Sequence, residues 1–473
     1  MLNESILSLV SNLWAGRFRQ SCIGHVSICQ AAIPKSIAIA GISVLLQSCA
    51  TYGDYAISMR DGLYKGQPKL SLAIAEQRDL DQEEVIASLD KGILRRMTGD
   101  YTGSNQILEV AKQEIEELYG VSVTENLASV TINETFRGYE GDRYEQLLLH
   151  AYMALNYIQL GQPDGARVEM LQANVKMMEW GDEPEEDAFI RYLGGIIYES
   201  LGEYDDALIS YRQAYIAYKE KGGEQYPLPS NELKTDLLRL LAWQGLWDEY
   251  KSYRKEFGMA TYKPAKQSNN FGELIVFLNN GLAPVRSETA VYIFSTEVQQ
   301  NLRVAFPVYK TPKQSLLTAQ VAVNNRQYAL ETVEDIDALA RYSLTQDMPG
   351  IMARATARAV VKYNTQSTAQ DNGSLAGLLV TITNIATERA DTRSWTTLPQ
   401  EIQLKRILLP VGEHEVQLQM VNAAGQVVDV MNEKIIIKPK QSSFMVKHWN
   451  TPVPRVKAGH TGAPEQLALE VKK

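Results

Sequence analysis

The chain of 473 residues is poor in cysteine, and its three, Cys22, Cys29 and Cys49, all stand at or before position 49. Beyond that point a disulfide framework or a cysteine-ligated metal centre is excluded. Histidine is scarce as well, and none of the five belongs to an HExxH or another short-range metal motif. Neither a GxSxG elbow nor a GxxxxGK[ST] loop occurs, so two common hydrolase routes have no sequence carrier. No cofactor is implied. Basic blocks are missing, and the net charge is −9, which disfavours a nucleic-acid partner because that affinity rests on neutralising phosphates. The apolar runs fall short of the roughly 20 residues a membrane-spanning helix needs.

One short apolar run is nevertheless informative. Ile37 to Leu46 follows Lys35 and leads into Gln47, Ser48 and Cys49. Its length fits a secretory apolar core of roughly 7–15 residues. Leu46-Gln47-Ser48-Cys49 resembles a bacterial lipobox, which implies acylation of the Cys49 thiol and removal of residues 1–48. Ala50, in place of an inner-membrane-retaining aspartate, implies an anchor in the outer membrane, on its periplasmic face. Residues 1–34 are long for the segment before such a signal, so translation is expected to begin nearer Lys35. The segment 1–48 carries Arg17, Arg19 and Lys35 against Glu4, so the remaining chain is more acidic still. Residues 49–80 are read as a lipid-anchored tether.

A helical pattern follows, over 81–257. Gly161 and Gly202 are each followed by alanine five residues on (Ala166, Ala207) and again seven later (Ala173, Ala214). Glycine ends a first helix, and the small residues let a second helix approach it closely. The spacing resembles the tetratricopeptide repeat. Gly202-Glu203-Tyr204-Asp205-Asp206-Ala207 is its clearest copy, with partial copies around Gly99 and Gly245 and an insertion near Gly181–Glu186. Such repeats stack into a groove that commonly binds peptides. In the clearest copy the groove residues are expected to be Phe189, Tyr192, Ile196 and Glu199. Leu155 and Ile196 depart from the repeats that clamp a terminal carboxylate, so an apolar or aromatic contact fits better. The alternative is that these four residues only pack against neighbouring helices.

Residues 258–271 have a linker composition, and after them the period changes to two. The continuous apolar run Leu274–Leu278 predicts a buried strand, with further strands at Val291–Phe294, Leu302–Phe306 and Leu316–Val323. A helical insertion from Val333 to Tyr363 is expected to break at Pro349, and Leu375–Asn384 reads as strand or buried helix. This makes 272–400 a β-rich domain with a helical insertion. Residues 401–448 read as a separate small antiparallel, sandwich-like unit, and 449–473 as a disordered tail. The predicted class is an all-α repeat domain followed by a β-rich α+β region.

The densest polar segment is Thr387-Glu388-Arg389-Ala390-Asp391-Thr392-Arg393-Ser394-Trp395. An enzyme would use Glu388 and Asp391 as an acid–base pair, since two carboxylates can divide those roles. A structural loop would instead tie Arg393 to a carboxylate and plug the core with Trp395; this second reading is favoured. Asp335 and Asp337, at a helix start, suit the positive end of its dipole.

The runs Tyr139–Glu145 and His150–Tyr157, then Asn280-Gly281-Leu282-Ala283-Pro284, Ala390–Trp395, Leu398-Pro399 and Leu409-Pro410 resemble a family of Gram-negative lipoproteins with tetratricopeptide repeats and a β-rich C-terminal region. The resemblance implies the architecture and brings no activity with it. The expected function is a non-enzymatic scaffold in the cell envelope, with another envelope protein or peptide in the repeat groove. The alternatives are an envelope glycan- or peptide-processing enzyme built on the Glu388–Trp395 loop, or a module that binds peptidoglycan or another carbohydrate.

Overall fold

The computed structural model describes residues 52–77, 84–124, 138–180, 186–265, 268–296, 299–310, 317–371, 389–422 and 424–451. Cys49, Glu388, the segment 375–384 and the tail beyond Thr451 lie outside the described residues.

Helix–turn–helix pairs build the first half. They are α1 (Tyr52–Tyr64) with α2 (Pro68–Glu76), α3 (Glu84–Met97) with α4 (Tyr101–Thr124), α5 (Arg143–Gln159) with α6 (Pro163–Glu179), α7 (Ala188–Ser200) with α8 (Tyr204–Lys221), and α9 (Asn231–Trp243) with α10 (Trp247–Glu256). Each turn carries a glycine at positive φ, Gly66, Gly99, Gly161, Gly202 and Gly245, the left-handed stop that a side chain disfavours. Five residues after the first four of these glycines lies a small, fully buried residue: Ser71, Ser104, Ala166 or Ala207. Their size brings the paired helices into contact. Ser71 donates to the Met59 carbonyl and Ser104 to the Gly92 carbonyl, both at 2.7 Å.

Residues 52–77, expected to be tether, thus form a helical pair of the same kind, with Met59, Leu63 and Ala75 buried. The sequence signal was present: Gly66-Gln67-Pro68 repeats Gly161-Gln162-Pro163, with proline opening the second helix each time.

The β-rich half consists of β1 (Phe271–Asn280), β2 (Arg286–Ser295), β3 (Gln300–Tyr309), β4 (Thr318–Val323), β5 (Arg326–Ala329), β6 (Glu331–Asp335), α11 (Ile336–Asp371), β7 (Glu401–Pro410), β8 (Gly412–Val421), β9 (Val427–Ile437) and β10 (Ser442–Trp449). One sheet runs β10-β1-β7-β6 and a second runs β5-β4-β8-β9, while β2 and β3 form a separate hairpin. The first sheet is mixed, because β1 pairs parallel with β10 and antiparallel with β7. The hairpin packs Leu302 and Val304 on Ala355 and Ala359 of α11.

These pairings differ from the expected division at residue 400. β1 is bonded to β7 and β10, and β4 to β8, so strands from both sides of that boundary share each four-stranded sheet. Periodicity reveals that a segment is a strand, but pairing is a long-range choice that it does not encode. The helix α11 also runs through Pro349 without ending, although proline removes one backbone donor there. It packs by Leu339, Ala340 and Leu344 before the proline and Ile351 after it, which holds both segments on one core.

Strand β1 explains the layering. Leu274 to Leu278 are all buried. Leu274, Val276 and Leu278 enter the core between the two sheets, with Val321, Val416, Leu418 and Ile437. Ile275 and Phe277, on the opposite face, join the core of the helical repeats. The first sheet is therefore a middle layer, covered by helices on one side and by the second sheet on the other. A strand buried on both faces needs a continuous apolar run.

Candidate functional site

The first helices α5, α7 and α9 line the face that receives the sheet. The four expected groove residues sit on that face in α7 and are buried: Phe189, Tyr192, Ile196 and Glu199. Tyr192 donates to Asp236 at 2.9 Å and packs edge-on against Tyr211, with ring centroids 5.7 Å apart. Glu199 binds Arg239 of α9 and Arg406 of β7, and accepts from the Tyr211 hydroxyl at 2.7 Å. The groove expected to be open to a partner is filled here by the chain's own sheet. A concave apolar face and a strand with two apolar faces satisfy each other, and no groove signature distinguishes that from an external ligand.

Arg406 is the centre of this contact. It reaches Asp236 at 2.9 Å and Glu199 at 3.0 Å, and pairs with Glu273 on β1. Burial alone would raise the Glu199 carboxyl, but Arg239 and Arg406 outweigh it and hold the group at about 2. Burial dominates at Asp236 and pushes it up. Sequence reading passed over Arg406. Its one signal is phase: it follows Ile402 and Leu404 at alternate positions of β7, the positions facing the helices.

The polar segment ending at Trp395 fills the N-terminal part of the same face. Asp391 and Arg393 bond to each other at 2.6 Å, and the Arg393 guanidinium lies over the Tyr139 ring at 5.3 Å. Trp395 is buried against Tyr152, centroids 6.0 Å apart, and its backbone N–H donates to Glu145 of α5 at 2.8 Å. Tyr52 of α1 donates to the Ser394 carbonyl at 2.7 Å, and Thr397 donates to Asp90 of α3 at 2.9 Å. Arg60 caps the Thr396 carbonyl. The segment thus ties three helical pairs together. Burial pushes Asp90 and Glu145 up to about 7, and the charge of Asp142 adds to the rise at Glu145. Asp391 is committed to Arg393, which supports the structural reading of this loop over an acid–base pair. Asp335 accepts from the Ala338 N–H at 3.0 Å and Asp337 pairs with Arg341 at 3.0 Å, which stabilises the start of α11.

The sheet leaves one end of the groove open. A cleft of about 350 Å³ lies between α9, the connector after α10, and the starts of β1 and β10. That volume falls in the ~300–1,000 Å³ range of ligand pockets. Its floor is the Glu199–Arg239–Asp236–Arg406–Glu273 network. Its walls carry Tyr204, Trp243, Phe271 and Leu408, which are 40%, 36%, 39% and 52% exposed. Arg239 stacks on Trp243 at 4.7 Å, and Tyr204 meets that ring edge-on at 6.4 Å. Apolar walls over a satisfied polar floor suit binding. The cleft draws on segments far apart in sequence, so no single motif announces it.

No protein-family model matches the chain, and no curated protein sequence matches it. Solved structures of MamA overlap it in part. MamA of strain AMB-1 is 15% identical, covering 45% of this chain and 92% of its own, with a TM-score of 0.28. A further crystal structure of MamA is 15% identical, covering 45% and 96%, at 0.29. The MamA fragment from residue 41 of Desulfovibrio magneticus RS-1 is 12% identical, covering 45% and 96%, at 0.28. Overlaps this loose carry no function across, and the assignment of this chain as helical repeats followed by a β-rich region stands on the glycine-turn pairs and sheets described above.

Proposed function

We propose that this protein is a non-enzymatic adaptor of the bacterial envelope, lipid-anchored through Cys49 on the periplasmic face of the outer membrane. The observation that carries the proposal is the open cleft at the end of an otherwise self-filled repeat groove, with four half-exposed apolar side chains over paired charges. It supports a role in holding another protein. The lipobox-like sequence before Cys49 supports the anchor. Among the described residues no helix is long and apolar enough to cross a membrane, so the acyl group is the expected attachment. Tethering raises the local concentration of a weak partner without tight binding at the cleft.

Photo-crosslinking in intact cells tests this reading. A crosslinkable residue at Leu408, in the cleft, should capture an envelope protein that the same residue at Tyr292, on the β2–β3 hairpin, does not. Capture of no protein from Leu408 in repeated trials would refute the adaptor role. Cys49→Ala should move the protein from the membrane to the soluble fraction, and continued membrane attachment would remove the anchor from the proposal.

A further inference from the structure

The cleft holds two cations that its own ion pairs leave unused. Glu199, Glu232, Asp236 and Glu273 line it, and each is bonded within the fold. Arg239 and Arg406 hold Glu199 and Asp236, Arg406 holds Glu273, and Lys405 holds Glu232. Two more cations line the same cleft, Lys263 and Lys440. Both are exposed, and neither has an ion pair among the described residues.

Both lysines stand on pinned backbone. Tyr262, just before Lys263, accepts from the Tyr250 hydroxyl through its carbonyl at 3.0 Å, and its own hydroxyl donates to the Thr235 carbonyl. Ala265, two residues after it, accepts from the Trp243 indole N–H through its carbonyl at 3.1 Å. Lys440 lies in the turn between β9 and β10. Its backbone N–H donates to the Phe271 carbonyl at 2.9 Å, and the next residue, Gln441, accepts from the Glu273 N–H at 3.0 Å. Gly272 allows this close approach, because a Cβ there would stand 2.2 Å from the Lys438 carbonyl oxygen. Lys440 itself has φ +55°, a left-handed conformation that glycine or asparagine adopts at less cost. Backbone strain at a long cationic residue is the kind that concentrates where ligands are clamped.

We infer that the cleft binds an acidic, apolar peptide segment of the partner, an Asp or Glu side chain at Lys263 and Lys440 with a neighbouring apolar side chain against Trp243, Phe271 and Leu408. The inference rests on the adaptor reading and adds the chemistry of what is held. The floor cannot supply the recognition, because its guanidiniums are already committed to carboxylates. The two unpaired lysines therefore select an anion at the mouth, and the four half-exposed walls reward an apolar side chain beside it. Each contact is modest, which suits a tethered protein.

An array of random octapeptides, acetylated and amidated at their ends so that only side chains carry charge, tests the inference with the detergent-extracted full-length chain. Retained peptides should be enriched in Asp or Glu beside a large apolar residue. In solution, with the best fluorescein-labelled peptide followed by anisotropy, changing its acid to the amide should weaken binding about tenfold, the effect of one lost charge-assisted contact. Lys263→Ala should do the same. Lys440→Gly separates binding from folding: it relieves the positive φ and should raise the melting temperature while weakening binding about tenfold. The inference fails if no acid is selected, or if both lysine variants bind like the parent. An array without selection, together with a protein captured from Leu408 in cells, would refute this inference and leave the adaptor reading standing. The absence of any captured protein would refute the adaptor reading itself.

Discussion

Arg406 holds three carboxylates, on α7, α9 and β1, from a strand that enters the helical groove. Removing it would leave those charges buried and short of a partner, which is far costlier than losing an exposed ion pair. Arg406→Met should destabilise the protein by about 3–5 kcal/mol in denaturant titration, whereas Lys434, exposed and paired with Glu413, should tolerate alanine within about 0.5 kcal/mol. Asp90 gives a pH-dependent counterpart. Its folded carboxyl titrates at about 7 against an ordinary value of 3.8, so the folded state binds the extra proton between those values. The associated stability is fully present below about pH 4 and is lost as pH rises through 7, at up to about 1.4 kcal/mol per pH unit. His448 opposes it at the acid end, since burial lowers its pKa well below 6.5 and its contribution is lost as pH falls. Asp90→Asn isolates the carboxyl. Its two side-chain partners, Tyr52 and Thr397, are hydroxyls that can reorient. The variant should match the parent near pH 4 and become progressively more stable than it up to about pH 7 in paired denaturation curves. A constant gap would contradict this titration.

At the scale of elements, legibility followed the range of the forces involved. A helix stop depends on the few residues around it, and Gly99, Gly161, Gly202 and Gly245 could be read from spacing alone. Gly66 obeyed the same rule but was obscured by its nearness to the lipobox-like segment. Gly66→Ala should cost about 1 kcal/mol in denaturant titration, because φ at that position is +63° and a Cβ is strained there. Strand β1 was equally legible, its unbroken apolar run announcing burial on two faces. The continuity of α11 through Pro349 was not. The lost backbone bond is local, but the core that holds both halves of the helix comes from α5, β3 and β7.

Across the whole molecule, the helical repeats and the first sheet share one core. Ile275, Phe277, Ile402, Leu404 and Trp395 lie in the same apolar cluster as Tyr152, Phe189, Ile196 and Leu237. Separating the halves would expose that cluster on both. The full chain should therefore melt in one cooperative transition by circular dichroism, while residues 52–257 and 268–451 expressed apart should show no cooperative melt. Independent melting of either piece would mean that the interface is dispensable for folding.

Local chemistry in the sequence determined the helix–turn–helix pairs, the strands and the apolar character of each face, because glycine stops, small residues at close approach and alternating apolar positions act within a few residues. Only the tertiary structure decided what each apolar face meets. Periodicity marks a groove as apolar on Phe189 and Ile196 and a strand as apolar on Ile275 and Phe277, yet nothing local says that they bury each other. That choice turned an expected partner groove into an internal interface. It drew Trp395 into the core as a plug, and it left the cleft lined by Trp243, Lys263 and Lys440 as the part of the groove still open.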